Sequence, residues 1–146
     1  MINFVLLVNK LRKTRLVQFY DNTPFSQRAK IIQEVSQQVT ERVSKGCNVI
    51  EWRDKKIIFK RYASLFFIFC VDDDDNELIA LEAIQFYVEC LDKHFGQVCE
   101  LDLIFNYSKA FNILDEVVVA GYLIESSKKV VASVTEANTL AEQHGY

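Results

Sequence analysis

The stretch KKIIFKRYASLFFIFCV, residues 55–71, decides the fold. It is rich in β-branched and aromatic residues, yet too long for one strand, since strands run about 3–10 residues. Ala63-Ser64 is its natural reversal point, so the stretch reads as two antiparallel strands laid back to back. NVIEW, 48–52, supplies another strand in front, joined by a tight turn at Arg53-Asp54-Lys55.

Working outward toward the N-terminus, INFVLLVN (2–9) is continuously apolar, the pattern of a strand covered on both faces. LRKTRLVQFY (11–20) follows a short basic turn and hairpins back onto it. Asp21-Asn22-Thr23-Pro24 stops the strand and restarts the chain, with Thr23 set to cap a helix and Pro24 suited to its first position. From Ser26 to Val43, Ile32, Val35, Val39 and Val43 form one stripe at helical spacing, and Gly46 ends the run.

Outward in the other direction, Asn76 to Phe95 reads as a helix with two apolar stripes. Leu81, Ile84, Val88, Leu91 and Phe95 make the first, with Tyr87 alongside; Ile79, Ala83, Phe86 and Cys90 make the second. A surface helix buries an arc of about 100°; this one exceeds that, which requires cover on two sides or a partner. ELDLIFNYSKAFNILDEVVVAG (100–121) predicts a short helical turn, then a helix from about Asn106 to Ala120 stopped by Gly121. Ser127 to about Gln143 carries Val130, Val134, Ala137 and Ala141 on one side, and reads as a further helix or a frayed segment. The element order gives a single α+β domain over residues 1–146: a five-stranded, mainly antiparallel sheet flanked by helices.

Composition narrows the function. The 146 residues are half apolar and a quarter charged, with 17 basic against 20 acidic residues and a net charge of −3, so general nucleic-acid binding is not favoured. Cys47, Cys70, Cys90 and Cys99 form no C-x-x-C pair, and with no signal peptide in view they are expected as reduced thiols in the cytosol. His94 and His144 add no zinc-ligand spacing. The longest apolar stretch, Leu65–Val71, falls far short of the roughly 20 residues that cross a bilayer. Residue 2 is Ile, which excludes N-myristoylation. Membrane contact is therefore expected only through a partner or a surface patch.

Asp72-Asp73-Asp74-Asp75 invites a metal reading. Counted as a calcium loop, the sixth position is Glu77 and the twelfth Ala83, where glycine and glutamate are needed. Carboxylates beside a helix start gain ~0.3–1 kcal/mol from its dipole, so capping and solvation are expected and no metal or other cofactor. G-x-S-x-G, H-E-x-x-H, P-loop and GxGxxG patterns are absent. Cys90 and His94 stand i, i+4 on a helix without an orienting third group, so they are expected to pack, not to catalyse. Two basic clusters remain: Lys10, Arg12, Lys13 and Arg15, and Arg53, Lys55, Lys56, Lys60 and Arg61. Most such clusters protect strand edges. Arg15, next to Leu16, also offers the fixed-cation-beside-apolar arrangement that reads an acidic and hydrophobic peptide.

FVLLVNKLRKTRLVQFY (4–20), IEWRDKKIIFKRYASLFF (50–67), the run from DNELIALEAI (75–84) through VCELDLIFN (98–106) to ILDE (113–116), and AGYLIESSKK (120–129) resemble the small (sigma) subunits of clathrin-associated adaptor complexes. EWRD, KRYASL, DNELI and SSKK are most similar to the type 1, trans-Golgi and endosomal, adaptor; type 2, of the plasma membrane, is close behind. The resemblance implies a longin-like fold and assembly with large adaptin subunits and a medium (mu) subunit. It implies no enzyme activity. Clathrin and a small GTPase are reached indirectly through the complex, on trans-Golgi and endosomal membranes and coated vesicles. It further implies recognition of cargo tails with D/E-x-x-x-L-L/I signals. Arg15 matches the residue facing the signal's acidic side chain, and Ala63, Leu65, Val88, Val98 and Leu103 match the apolar walls for the leucines. Gln97 stands where the type 2 subunit has a shorter amide. Other longin-domain trafficking subunits, such as a coatomer zeta chain or a tethering-complex subunit, are the alternative without dileucine recognition.

Overall fold

The computed structural model describes residues 1–43, 46, 48–119 and 121–123, the last two by their backbone. Strands β1 (Ile2–Asn9) and β2 (Thr14–Phe19) precede helix α1 (Phe25–Arg42). Strands β3 (Val49–Trp52), β4 (Lys55–Tyr62) and β5 (Leu65–Asp72) follow, then helices α2 (Glu77–Phe95), α3 (Glu100–Phe105) and α4 (Tyr107–Val117). A small hairpin, β6 (Val118–Val119) and β7 (Tyr122–Leu123), comes last. The expected five strands form one sheet in the order β2-β1-β5-β4-β3, with every neighbouring pair antiparallel. The reversal at Ala63-Ser64 is where the sequence put it, with Ala63 at a positive φ of 54°.

Side-chain alternation divides the sheet between two cores. Phe4, Leu6, Val8, Phe66, Ile68 and Cys70 pack with Ile31, Val35 and Val39 of α1. Val5, Leu7, Leu65, Phe67, Phe69 and Val71 pack with α2, Leu103 of α3, and α4. That is why β1 and most of β5 are apolar at consecutive positions: each residue meets one helical layer or the other. Burial raises the Cys70 thiol pKa to about 12, which leaves it inert at neutral pH.

Several helix details differ from expectation. Pro24 is the N-cap of α1, not its first residue, and Thr23 caps nothing there because its hydroxyl and its N–H both donate to Asp21 Oδ1. The deepest residues of α1 are Ile31, Val35 and Val39; Ile32 and Val43 sit at the margin. The wide apolar arc of α2 is covered largely within the chain, by the sheet on one side and α4 on the other. The Tyr87 hydroxyl, wholly buried, donates to the carbonyl of Ala110 at 2.7 Å. Ile79 of the second stripe is left exposed. Helix α4 stops at Val117, because the β-branched Val118 and Val119 continue as a strand; Gly121 is a hairpin-turn residue, not a helix stop. The segment expected over Ser127–Gln143 lies outside the described residues.

The aspartates do not cap α2. Asn76 does, accepting from the Leu78 N–H at 2.9 Å. Asp72 and Asp75 instead bind the Met1 ammonium at 3.2 and 2.6 Å, while Asp73 and Asp74 face solvent. Asn3 donates to Asp72 and is the first cause of that carboxyl's depressed pKa. Among the described residues no group of three or more His, Cys, Asp or Glu is placed to hold a metal ion, and no helix is long and apolar enough to cross a membrane.

Candidate functional site

Arg15 owes its position to a register fault. Along β1 and β2, Phe4 faces Phe19 and Leu7 faces Leu16, but Val8 faces Thr14. Arg15 is therefore the extra residue of a β-bulge. Bulges bend a strand and re-aim a side chain. Strict alternation from Leu16, which packs in the α2–α4 core, would turn Arg15 toward α1; the bulge brings its guanidinium to α3 instead. There Arg15 Nε donates to Glu100 Oε1 at 2.7 Å, with both side chains a quarter exposed.

A third residue fixes the pair. Asn9, 7% exposed at the end of β1, donates from Nδ2 to the same Glu100 oxygen at 2.8 Å. Its own Oδ1 accepts from the N–H groups of Leu11 and Lys13, both at 2.9 Å, so one side chain ties the β1–β2 turn to α3. The hydrogen bonds from Asn9 and then Arg15 hold the Glu100 carboxyl below its ordinary pKa. Asn9 also pairs across the ladder with Leu65, so this network sits at the sheet end where β5 begins.

Leu65, Val88 and Leu103 come from three different elements and Val98 from the α2–α3 loop, and the four join one core, with exposures of 0–2%. The structure brings these four together but keeps them shut. Ala63 and Gln97 are exposed, on the β4–β5 turn and the α2–α3 loop. Asp92 links those two segments: Oδ2 accepts from the Tyr62 hydroxyl at 2.6 Å and Oδ1 from the Val98 N–H at 2.9 Å. Leu103 lies one turn beyond Glu100 on α3. The carboxylate of Asp102 accepts from the Cys99 N–H at 2.9 Å, which closes the first turn of that helix.

Asn9, Asp92 and Glu100 were not singled out from the sequence. Asn9 carried a signal, a polar residue closing a run of buried ones; the roles of Asp92 and Glu100 depend on the bulge and a loop path. Cys90 lies in the core and the His94 ring meets Phe95 edge-on. In the second basic cluster, Lys56 and Lys60 reach across to α2: Lys56 donates to the Asp75 carbonyl and pairs with Glu77, and Lys60 bonds Gln85. On α3, Leu101, Ile104 and Phe105 are exposed, Phe105 by 77%.

The family described as clathrin adaptor complex small chain matches residues 1–141. The chain is 53% identical over 137 residues to the AP-1 complex subunit sigma-2 of Arabidopsis thaliana, covering 94% of this chain and 85% of that one. It is 46% identical over 144 residues to the human AP-1 complex subunit sigma-1A, covering 98% and 91%. Among structures it is similar to a chain in a homology model of the full-length AP-3 complex in a stretched open conformation. The TM-score there is 0.76 at 33% identity, covering 99% of this chain and 98% of that one.

Proposed function

This chain belongs to the family of clathrin adaptor complex small chains, and we propose that it reads acidic dileucine signals in cargo tails. It is the small subunit of a heterotetrameric adaptor in vesicle-mediated protein transport, most similar to type 1, and not an enzyme. Its neighbours are the other adaptor subunits. The exposed Leu101, Ile104 and Phe105 suit a large, permanent apolar interface with one of them. Its site of action is the cytoplasmic face of trans-Golgi and endosomal membranes, with clathrin and a small GTPase engaged through the complex.

In this reading Arg15 faces the signal's acidic side chain. Leu65, Val88, Val98 and Leu103 receive the leucines, with Ala63 and Gln97 at the rim. The observation that carries it is the bulge, which lifts a cation onto the layer containing those four apolar residues. Because they are closed over, entry of the leucines requires the rim segments to part, and that opening costs affinity. Burying two leucines contributes ~1.5–3 kcal/mol each, and a half-exposed ion pair ~0–1 kcal/mol. Ordering an extended peptide takes part of this back. A micromolar affinity, roughly −8 kcal/mol, is the ceiling, and many adaptors on one membrane retain cargo by avidity.

The test is a titration of a peptide carrying E-x-x-x-L-L into the assembled complex, using wild type, Arg15→Ser and Leu103→Ser. Complex formation is checked for each variant by size-exclusion chromatography. Weaker binding by both variants in intact complexes is expected; unchanged binding in both removes the site.

A further inference from the structure

The cation that would face the cargo already has a carboxylate. Glu100 Oε1 lies 2.7 Å from Arg15 Nε, and the buried Asn9 holds the same oxygen at 2.8 Å. Asn9 is itself anchored by two backbone N–H groups of the β1–β2 turn, so Glu100 is fixed from beneath, not merely drawn to Arg15 by charge. We propose that Glu100 is a specificity-determining residue: a resident counter-ion that lowers the signal site's demand for an acidic side chain. This rests on the dileucine reading above and adds how strongly the acidic position is weighted.

The physical reason is charge. An arginine alone presents a full positive charge, and its planar fork favours a carboxylate in bidentate contact. Here the Nε corner of the fork is taken, and the pair Arg15–Glu100 is close to neutral as seen by an approaching peptide. An incoming carboxylate meets the remaining guanidinium edge with Glu100 repelling it from the same side. The leucines then dominate selection, and the acid is a preference more than a requirement. Asn9 makes the arrangement robust, because a cargo carboxylate that displaces Glu100 from Arg15 does not release it into solvent.

Glu100→Gln isolates the effect. Its amide oxygen keeps the acceptor for Arg15 Nε and Asn9 Nδ2, so the geometry stays while the charge goes. Three peptides, E-x-x-x-L-L, Q-x-x-x-L-L and E-x-x-x-S-S, are titrated into assembled wild-type and Glu100→Gln complexes. In wild type the acid-to-amide affinity ratio is expected at about twofold; in Glu100→Gln it rises to roughly fivefold, the upper span of one partly exposed ion pair, and shrinks again with added salt. A leucine-dependent complex whose acid-to-amide ratio is unchanged or smaller in Glu100→Gln overturns this inference and leaves the dileucine reading standing. Equal binding of E-x-x-x-L-L and E-x-x-x-S-S to wild type overturns both. Glu100→Ala is the second variant: a ratio raised as in Glu100→Gln supports the counter-ion, and a ratio lowered below wild type shows that Glu100 only orients Arg15.

Discussion

The Tyr62 hydroxyl donates to Asp92 Oδ2 at 2.6 Å, and this contact joins the last residue of β4 to the last turn of α2. The other oxygen of the same carboxylate holds the Val98 N–H. One side chain thus determines how the β4–β5 turn, with Ala63, stands against the α2–α3 loop, with Gln97 and Val98.

The two bonds separate by mutation. Tyr62→Phe removes one neutral-to-charged bond at a partly exposed position and is expected to lower the midpoint of chemical denaturation only slightly. It leaves the Val98 amide protected. Asp92→Ala removes both acceptors and strands the Val98 N–H, so amide exchange at Val98 speeds markedly in this variant alone. Equal exchange in the two variants would show that the loop is held by something other than Asp92.

Gly121 is expected to tolerate no side chain. Its φ is +84°, and a Cβ would stand 2.7 Å from the Ile2 carbonyl oxygen and 2.8 Å from the end of the Met1 side chain. The Met1 chain is able to swing away, but the Ile2 backbone is not, because its N–H donates to the Gly121 carbonyl at 2.6 Å. Gly121→Ala should cost at least the ~1–3 kcal/mol of a left-handed non-glycine residue, read as a lowered unfolding midpoint.

Acid should weaken the Asn9–Glu100–Arg15 network. The Glu100 pKa is depressed in the folded chain, so the unfolded state binds the proton first as pH falls. The contribution of Glu100 is complete above its ordinary value of 4.5 and is lost as pH drops from there through the folded value. Glu100→Gln is expected to be less stable than wild type in the neutral region and to converge with it in acid, which flattens that part of the stability–pH curve. An identical acid limb in the variant would assign it to other carboxylates.

Leu103 and Phe105 are neighbours on α3 with opposite fates. Leu103→Ala is expected to cost ~2–5 kcal/mol as a core truncation, whereas Phe105→Ser should change stability by less than about 0.5 kcal/mol. Phe105→Ser, combined with Leu101→Ser, should instead raise the solubility of the isolated chain and weaken its capture by the large subunit. A monodisperse wild-type monomer at high concentration would show that this exposed surface does not drive association.

The strands were legible because each needs only a local pattern. Continuous apolar runs in β1 and β5 required two covering layers, and the reversal at Ala63-Ser64 followed from length alone. Leu65, Val88, Val98 and Leu103 were grouped only through the family resemblance, since nothing local says that three elements and a loop converge. Gly121 was misread because a glycine after a helical pattern serves equally as a helix stop or a hairpin turn, and the valines before it decide in favour of the hairpin. Asp72 and Asp75 were misread as capping because the ion they meet, the Met1 ammonium, is distant in sequence. Arg15 was singled out by its place beside Leu16 and again by likeness, and its partner Glu100 was not, for the partnership exists only once a strand has slipped by one.

That slip makes the hairpin a counting device. The side of the sheet on which the guanidinium emerges is set by the number of residues between Asn9 and Leu16, not by the identity of any one of them. Removing a single residue from this interval would restore perfect pairing and turn the cation to the opposite layer. The sheet would be better ordered and the proposed reader lost, so this short length of chain, Arg15 apart, is tolerant of spelling and intolerant of deletion.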